Sequence, residues 1–268
     1  MQVFEKRSSS RVLLFVALVS ALYLTTRQYT AQAQDSDKVV FLPMTAGPTE
    51  DCNVPGAAYG TLSPAVTTDR PAAEHPDLNL AIRGWSQTTA NLSLVLYGGH
   101  TDIAAPQLDA LFSPQRMPQF SSAHRVNQWY WGCDCRGDPI EDWNVTLLGL
   151  ATSAGEPLHV PDSGYHIGGG FEALVLYATE SRLTLKYSAE DNVVQGYTIH
   201  VEGVCVEPDL LRLYRDLNAA GRQQLPALRE GQSFGIATGG EMRVAVRDNG
   251  SFLDPRSQKD WWKEYAVP

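Results

Sequence analysis

The stretch from residue 173 to residue 205 leaves the backbone little choice. Arg182-Leu183-Thr184-Leu185-Lys186-Tyr187 alternates polar and apolar side chains, the period of a strand with one face on a core. Residues 173–178 form a short apolar run suited to a buried strand, and residues 192–196 supply a turn before a third strand over 197–205. In that third strand Tyr197, Ile199, Val201 and Cys205 share one face, while Thr198, His200 and Glu202 share the other. A helical period fits well only from Pro208 to Ala219. Pro208 suits a first turn, Leu210, Leu213, Tyr214 and Leu217 form one stripe, and Gly221 ends it.

Further strands are expected over residues 78–85, 92–97 and 145–150, with one helical turn around Leu108, Leu111 and Phe112 that Pro114 stops. Pro55, Pro64, Pro71 and Pro76 exclude a helix or central strand between residues 52 and 76. The expected fold is mainly β. A β-sandwich-like half over 52–157 precedes a second β half over 158–256 with one inserted helix, and 257–268 form a tail. Trp261 and Trp262 in that tail are expected to clamp onto the body, because adjacent exposed indoles would be sticky.

The N-terminus reads as an export signal. Lys6, Arg7 and Arg11 precede an apolar run over residues 12–24 and Ala31-Gln32-Ala33, the three parts of a secretory signal peptide, with 1–33 removed and 34–51 left as a linker. A thirteen-residue apolar run is shorter than the ~20 residues of a membrane span. Residues 34–268 then carry 17 basic and 29 acidic side chains. Such a body repels polyanions, which argues against nucleic acid as a partner. Cys52, Cys133, Cys135 and Cys205 fit disulfides in an exported protein. Cys133 and Cys135 flank a single residue, so each is expected to reach a distant partner, Cys52 or Cys205.

The end of the chain carries a resemblance. A Gly-Gln turn at Gly231-Gln232 and an apolar run ending in Gly239-Gly240 lead to an alternating strand, Glu241 to Arg247, then Asn249-Gly250 and Asp254-Pro255. This order is similar to the end of the lysostaphin-type (LytM-like) murein endopeptidases, where a Gly-Gln-x-Ile-Gly turn precedes a strand reading His-Leu-His-Phe-Glu-Val-Arg. The resemblance spans residues 160–256 at most and implies a barrel-sandwich β domain. It also implies a zinc site on the strand's paired histidines. Glu241 and Arg243 stand at those positions, and a guanidinium has no lone pair to offer a metal. His200 matches a family active-site histidine in a Tyr-x-His strand. His166 has Gly170 where the family's His-x-x-x-Asp carries aspartate, and Gly98 stands four residues before Asp102 in the Asp-Ile-Ala-Ala-Pro phrase.

Two groups of binding residues follow: His200, Glu202, Glu241 and Arg243 on the floor of the implied cleft, and the aromatic run Trp129, Tyr130 and Trp131. The aromatics either stack on a ligand or cover the β core beside a disulfide. No catalytic residue, metal ligand or cofactor is expected. The leading expectation is an exported, non-catalytic module, secreted or at the cell envelope, that binds wall glycan, wall peptide or another envelope protein. The alternatives are a zinc metallopeptidase using His100, Asp102, His166 and His200, and a structural surface protein.

Overall fold

The computed structural model of the chain describes residues 52–265. The expected signal peptide and linker lie outside the described residues. The described part is mainly β. An eleven-stranded antiparallel sheet is built from β1 (Gly60–Leu62), β2 (Trp85–Gln87), β3 (Phe120–Tyr130), β4 (Cys135–Pro139), β5 (Leu147–Thr152), β7 (Ala173–Thr179), β8 (Arg182–Lys186), β9 (Tyr197–Glu202), β11 (Leu225–Leu228), β13 (Gly240–Asp248) and β14 (Ser251–Leu253). Its order is β1-β11-β7-β8-β9-β13-β5-β3-β2, with β14 on β13 and β4 on β3. A second sheet, β10-β12-β6, joins β6 (Pro157–His159), β10 (Val204–Val206) and β12 (Ser233–Ala237).

The two halves expected on either side of residue 157 are not separate. β5 and β3, from the first half, continue the sheet directly from β13, at the end of the second. Pairing between strands this far apart in sequence is invisible to local pattern, so alternation alone does not reveal that β3, β5 and β13 share one sheet. One core serves both sheets. Leu148, Leu150, Leu183, Leu185, Ile199, Val201, Val244 and Val246 line one face of the large sheet, and Leu158, Val204, Phe234 and Ala237 join them from the small one. Helix α2 (Pro208–Ala219) packs Leu210, Leu211 and Tyr214 into the same core, and the Glu207 carboxylate caps it by accepting from Leu210 N at 2.8 Å.

The strand expected over 197–205 breaks at Gly203, which takes φ 78° and sends Val204–Val206 into the other sheet. The strand expected over 78–85 is instead a helical turn, α1 (Leu80–Arg83), followed by β2. Arg83 folds back onto Pro76 O and Asp77, which holds the segment as a compact turn. Residues 92–97 form no strand beyond a single bridge of Val95 to Ser257. The β13–β14 hairpin turns at Asn249-Gly250, both with positive φ (45° and 80°), the conformation that this pair favours.

The tail closes over the body as α3 (Gln258–Trp261) and a 3₁₀ turn, Lys263–Tyr265. Trp261 and Trp262 are both buried, and their indole N–H groups donate to Asp254 O and Pro255 O at 2.9 and 2.8 Å. Trp262 also packs on Phe120 at 5.5 Å between ring centroids. Replacing Trp262 by alanine should therefore lower the unfolding free energy by about 3–5 kcal/mol, read by chemical denaturation. A loss under about 1 kcal/mol would show that the tail does not carry core packing.

Candidate functional site

Of the first expected group, Glu202 and Arg243 lie in one cross-strand row, with Glu241 two residues before Arg243 on the same strand. Arg182 on β8, Glu202 on β9, Arg243 on β13, Gly149 on β5 and Ser122 on β3 are register partners in succession. Arg243 Nη2 pairs with Glu241 Oε1 at 2.8 Å, and Ser121 Oγ donates to Glu241 Oε2 at 2.5 Å. Arg182 Nε stands 3.4 Å from Glu202 Oε2. Gly149 gives this row its space, since a Cβ there would collide with Ser122 Oγ and the Glu241 carboxylate. Burial raises the Glu202 carboxyl to about 7 against the pull of Arg182 and Arg243.

His200, expected as a hydrogen-bonded surface residue or an active-site relic, is fully buried. Both faces of β9 are covered, the second by the segment around α1. The His200 ring stacks on Phe252, and its Nδ1 lies 3.1 Å from Thr184 Oγ1, which donates to Leu78 O at 2.7 Å. Burial, then Arg247, holds its pKa well below the usual histidine value, so the ring is neutral. Beside it Asp77 Oδ1 accepts from Arg83 Nη2 at 2.5 Å and Arg247 Nη1 at 2.8 Å. Burial opposes ionisation of Asp77, but Arg247 and Arg83 together outweigh it and bring the carboxyl down to about 2.

These residues do not suit zinc. Arg243 is spent on Glu241, and His200 is sealed behind α1. Among the described residues no three His, Cys, Asp or Glu side chains gather in a metal-holding group. His100, Asp102, His166 and His200 likewise do not assemble. The Asp102 carboxylate is taken up by the hydroxyls of Tyr165 and Tyr197 at 2.7 and 2.9 Å, and His166 faces Glu172 at 3.5 Å.

The aromatic group sits at the tip of the β3–β4 hairpin, and there the disulfide expectation is corrected. Cys133 bridges Cys135, and Cys52 bridges Cys205. Asp134 adopts φ 50° between the two tip cysteines and folds the loop so that their Cα atoms come within 5.2 Å, inside disulfide range. No distant partner is needed. Asp134 Oδ1 in turn accepts from Arg70 Nη1 at 2.7 Å and Trp129 Nε1 at 3.1 Å. Trp129 is thereby tied to the tip, and Tyr130 is exposed with its hydroxyl 3.3 Å from Asp138.

Trp131 is different. Its side chain is 50% exposed, with Arg70 over the ring at 5.2 Å and His75 edge-on at 5.9 Å. It forms one wall of a cleft of about 360 Å³ lined also by Thr67, Thr68, Asp69, His75, Asp77 and the Asn192-Val193-Val194 loop. His75 Nδ1 accepts from Asp77 N at 3.1 Å, so the neutral ring carries its proton on Nε2, 3.4 Å from Asp69 Oδ1. Burial lowers the His75 pKa. Of this cleft the sequence pointed only to Trp131. Asp69 and His75 lie in irregular segments whose pattern carries no signal, Asn192 was marked only as a turn residue, and the density of aromatics near the Cys-x-Cys pair marked the region. The sequence matches no protein-family model and shows no significant similarity to a curated protein.

Two pH effects follow from the buried carboxyls. Glu202 has a raised pKa in the folded state, so its contribution to stability is full below about 4.5 and is lost as pH rises through about 7. Glu202→Gln should match the parent near pH 4.5 and exceed it by on the order of 2 kcal/mol at pH 8. Equal stabilities at pH 8 would refute this. Asp77 has a depressed pKa, so its contribution is full above about 4 and is lost as pH falls toward 2. Asp77→Ala leaves Arg83 and Arg247 buried without their carboxylate and should cost about 3–5 kcal/mol at pH 7, with a shallower acid-unfolding slope between pH 4 and 2.

Proposed function

We propose that this chain is an exported, non-catalytic module that binds a glycan of the cell envelope, with the Trp131 cleft as its binding surface. The observation that carries the reading is a half-exposed indole facing a concave, mixed apolar and hydrogen-bonding cavity. A sugar ring presents an apolar face of C–H groups edged by hydroxyls, which an exposed tryptophan flanked by a carboxylate, an amide and threonine hydroxyls complements. The rigid indole loses little entropy on binding. The hairpin tip is stapled by Cys133–Cys135 and anchored through Asp134 to Arg70, so the platform is preorganised.

The setting is supported independently. Two disulfides suit an oxidising compartment, and residues 1–33 have the parts of a signal peptide. Among the described residues no helix is long and apolar enough to cross a membrane. The resemblance of residues 231–255 to murein endopeptidases points to the wall as the place of action. Arg243 at the position of a metal-ligating histidine favours retention of binding without hydrolysis.

Trp131→Ala should weaken retention on isolated envelope polysaccharide at least tenfold, about 1.4 kcal/mol or more, in affinity electrophoresis. Trp143→Ala, whose ring packs on Tyr97 at 5.0 Å away from the cleft, should bind like the parent. Equal retention of the Trp131 variant and the parent would overturn the reading.

A further inference from the structure

Resting on the glycan reading, we infer that the cleft selects N-acetylated amino sugars over neutral hexoses and over free amino sugars. The groups left uncommitted inside the cleft carry the selection. Asp77 is occupied by Arg83 and Arg247, and His75 Nε2–H faces Asp69 Oδ1. Asp69 Oδ1 is also the atom nearest Arg70 Nε, at 3.8 Å. Oδ2 of Asp69 therefore remains as a free acceptor, on a side chain that is 73% exposed. Asn192 Oδ1 accepts from Val194 N at 2.9 Å, which leaves the Asn192 amide N–H groups as the donors. Val194, 64% exposed, supplies apolar surface next to Asn192, and Trp131 supplies the opposite wall.

An acetamido group matches this set in all three parts. Its N–H donates to a carboxylate, its carbonyl accepts from an amide N–H, and its methyl covers an aliphatic side chain. A hydroxyl at the same carbon satisfies one polar group and leaves Val194 wet. A free amine is a cation at neutral pH; it can pair with the exposed Asp69 carboxylate, which is worth about 0–1 kcal/mol, but it offers no acceptor to the Asn192 N–H groups and no methyl to Val194.

The test is titration calorimetry of the full mature chain with three oligosaccharides of equal length: β-1,4-linked N-acetylglucosamine, its deacetylated counterpart, and β-1,4-linked glucose. The N-acetylated oligomer should bind at least tenfold tighter than either of the others. Val194→Asp, at an exposed position that leaves the fold intact by circular dichroism, should remove that preference, and Asp69→Ala should weaken the N-acetylated oligomer about tenfold. Comparable binding of all three oligomers would overturn the inference and leave the glycan reading standing. Binding of none would overturn it as well. Trp131-dependent retention on envelope polysaccharide then decides the glycan reading separately.

Discussion

The covering of both faces of β9 is the constraint from which the rest of the architecture follows. A sheet face that receives Thr184, Lys186, Thr198, His200, Glu202 and Arg247 and is then buried calls for partners, because an unpaired buried polar group costs more than its hydrogen bond returns. The segment from His75 to Arg83 meets much of that demand, while Thr198 Oγ1 and His200 Nε2 keep no hydrogen-bond partner among the described residues. Leu78 O takes the Thr184 hydroxyl, Asn79 Oδ1 takes Arg182 Nη1 at 3.2 Å, and Asp77 Oδ1 accepts from both Arg83 and Arg247. Lys186, without a carboxylate in contact, is held by the carbonyls of Gln195 and Gly196, and burial lowers its pKa to about 8. A small apolar patch of Leu80, Val126, Ile140, Leu147, Ala245 and Phe252 completes the covered face.

That polar seam also builds the cleft. His75 and Asp77 belong to the covering segment, and the Asp77 backbone N–H fixes the tautomer of the His75 ring that leans on Trp131. The opposite wall, Asn192 to Val194, is the loop between β8 and β9, the two strands whose side chains the segment covers. The cleft is thus held by the same ion pairs that bury the sheet. A rearrangement of Asp77 would be felt at Trp131 through one intervening residue, which is the kind of short, packed connection along which coupling is expected.

What was legible in the sequence was what obeys a local period. β7, β8, β9, α2 and the Asn249-Gly250 hairpin follow from alternation, a helical stripe and turn chemistry. The tail also read correctly, because two adjacent indoles have few soluble alternatives to burial. The failures have one origin. Leu78, Leu80 and Ile82 alternate as a strand would, yet long-range bonds from Arg83 and Asn127 fix them as a helical turn. The face of β9 that looked solvated by its Thr-His-Glu composition is sealed by a segment more than a hundred residues earlier. The cysteines misled for the opposite reason: spacing argued for distant partners, while one left-handed residue brought near neighbours together. Asp69 and His75 were silent because irregular backbone has no period to read, and Asn192 read only as the start of a turn.

The charged row on β8, β9 and β13 and the cleft at Trp131 therefore differ in kind. In the row, Arg243 Nη2 pairs with Glu241 two residues earlier on the same strand and Arg182 stands beside Glu202, so the charges face neighbouring protein groups, with Arg243 Nε and Arg182 Nε lacking a hydrogen-bond partner. The partly exposed Arg243–Glu241 pair contributes about 0–1 kcal/mol, Glu202 is buried beside Arg182, and the row leaves little to offer an incoming group. In the cleft, the strong pair Asp77–Arg247 is buried below the floor, and the groups above it are an indole, an aliphatic side chain, an amide and one carboxylate oxygen without a partner. Where charges are already paired, a surface contributes to structure. Where apolar area and single hydrogen-bonding groups are left facing a concavity, it is equipped to bind, and on this chain that condition is met at the hairpin tip.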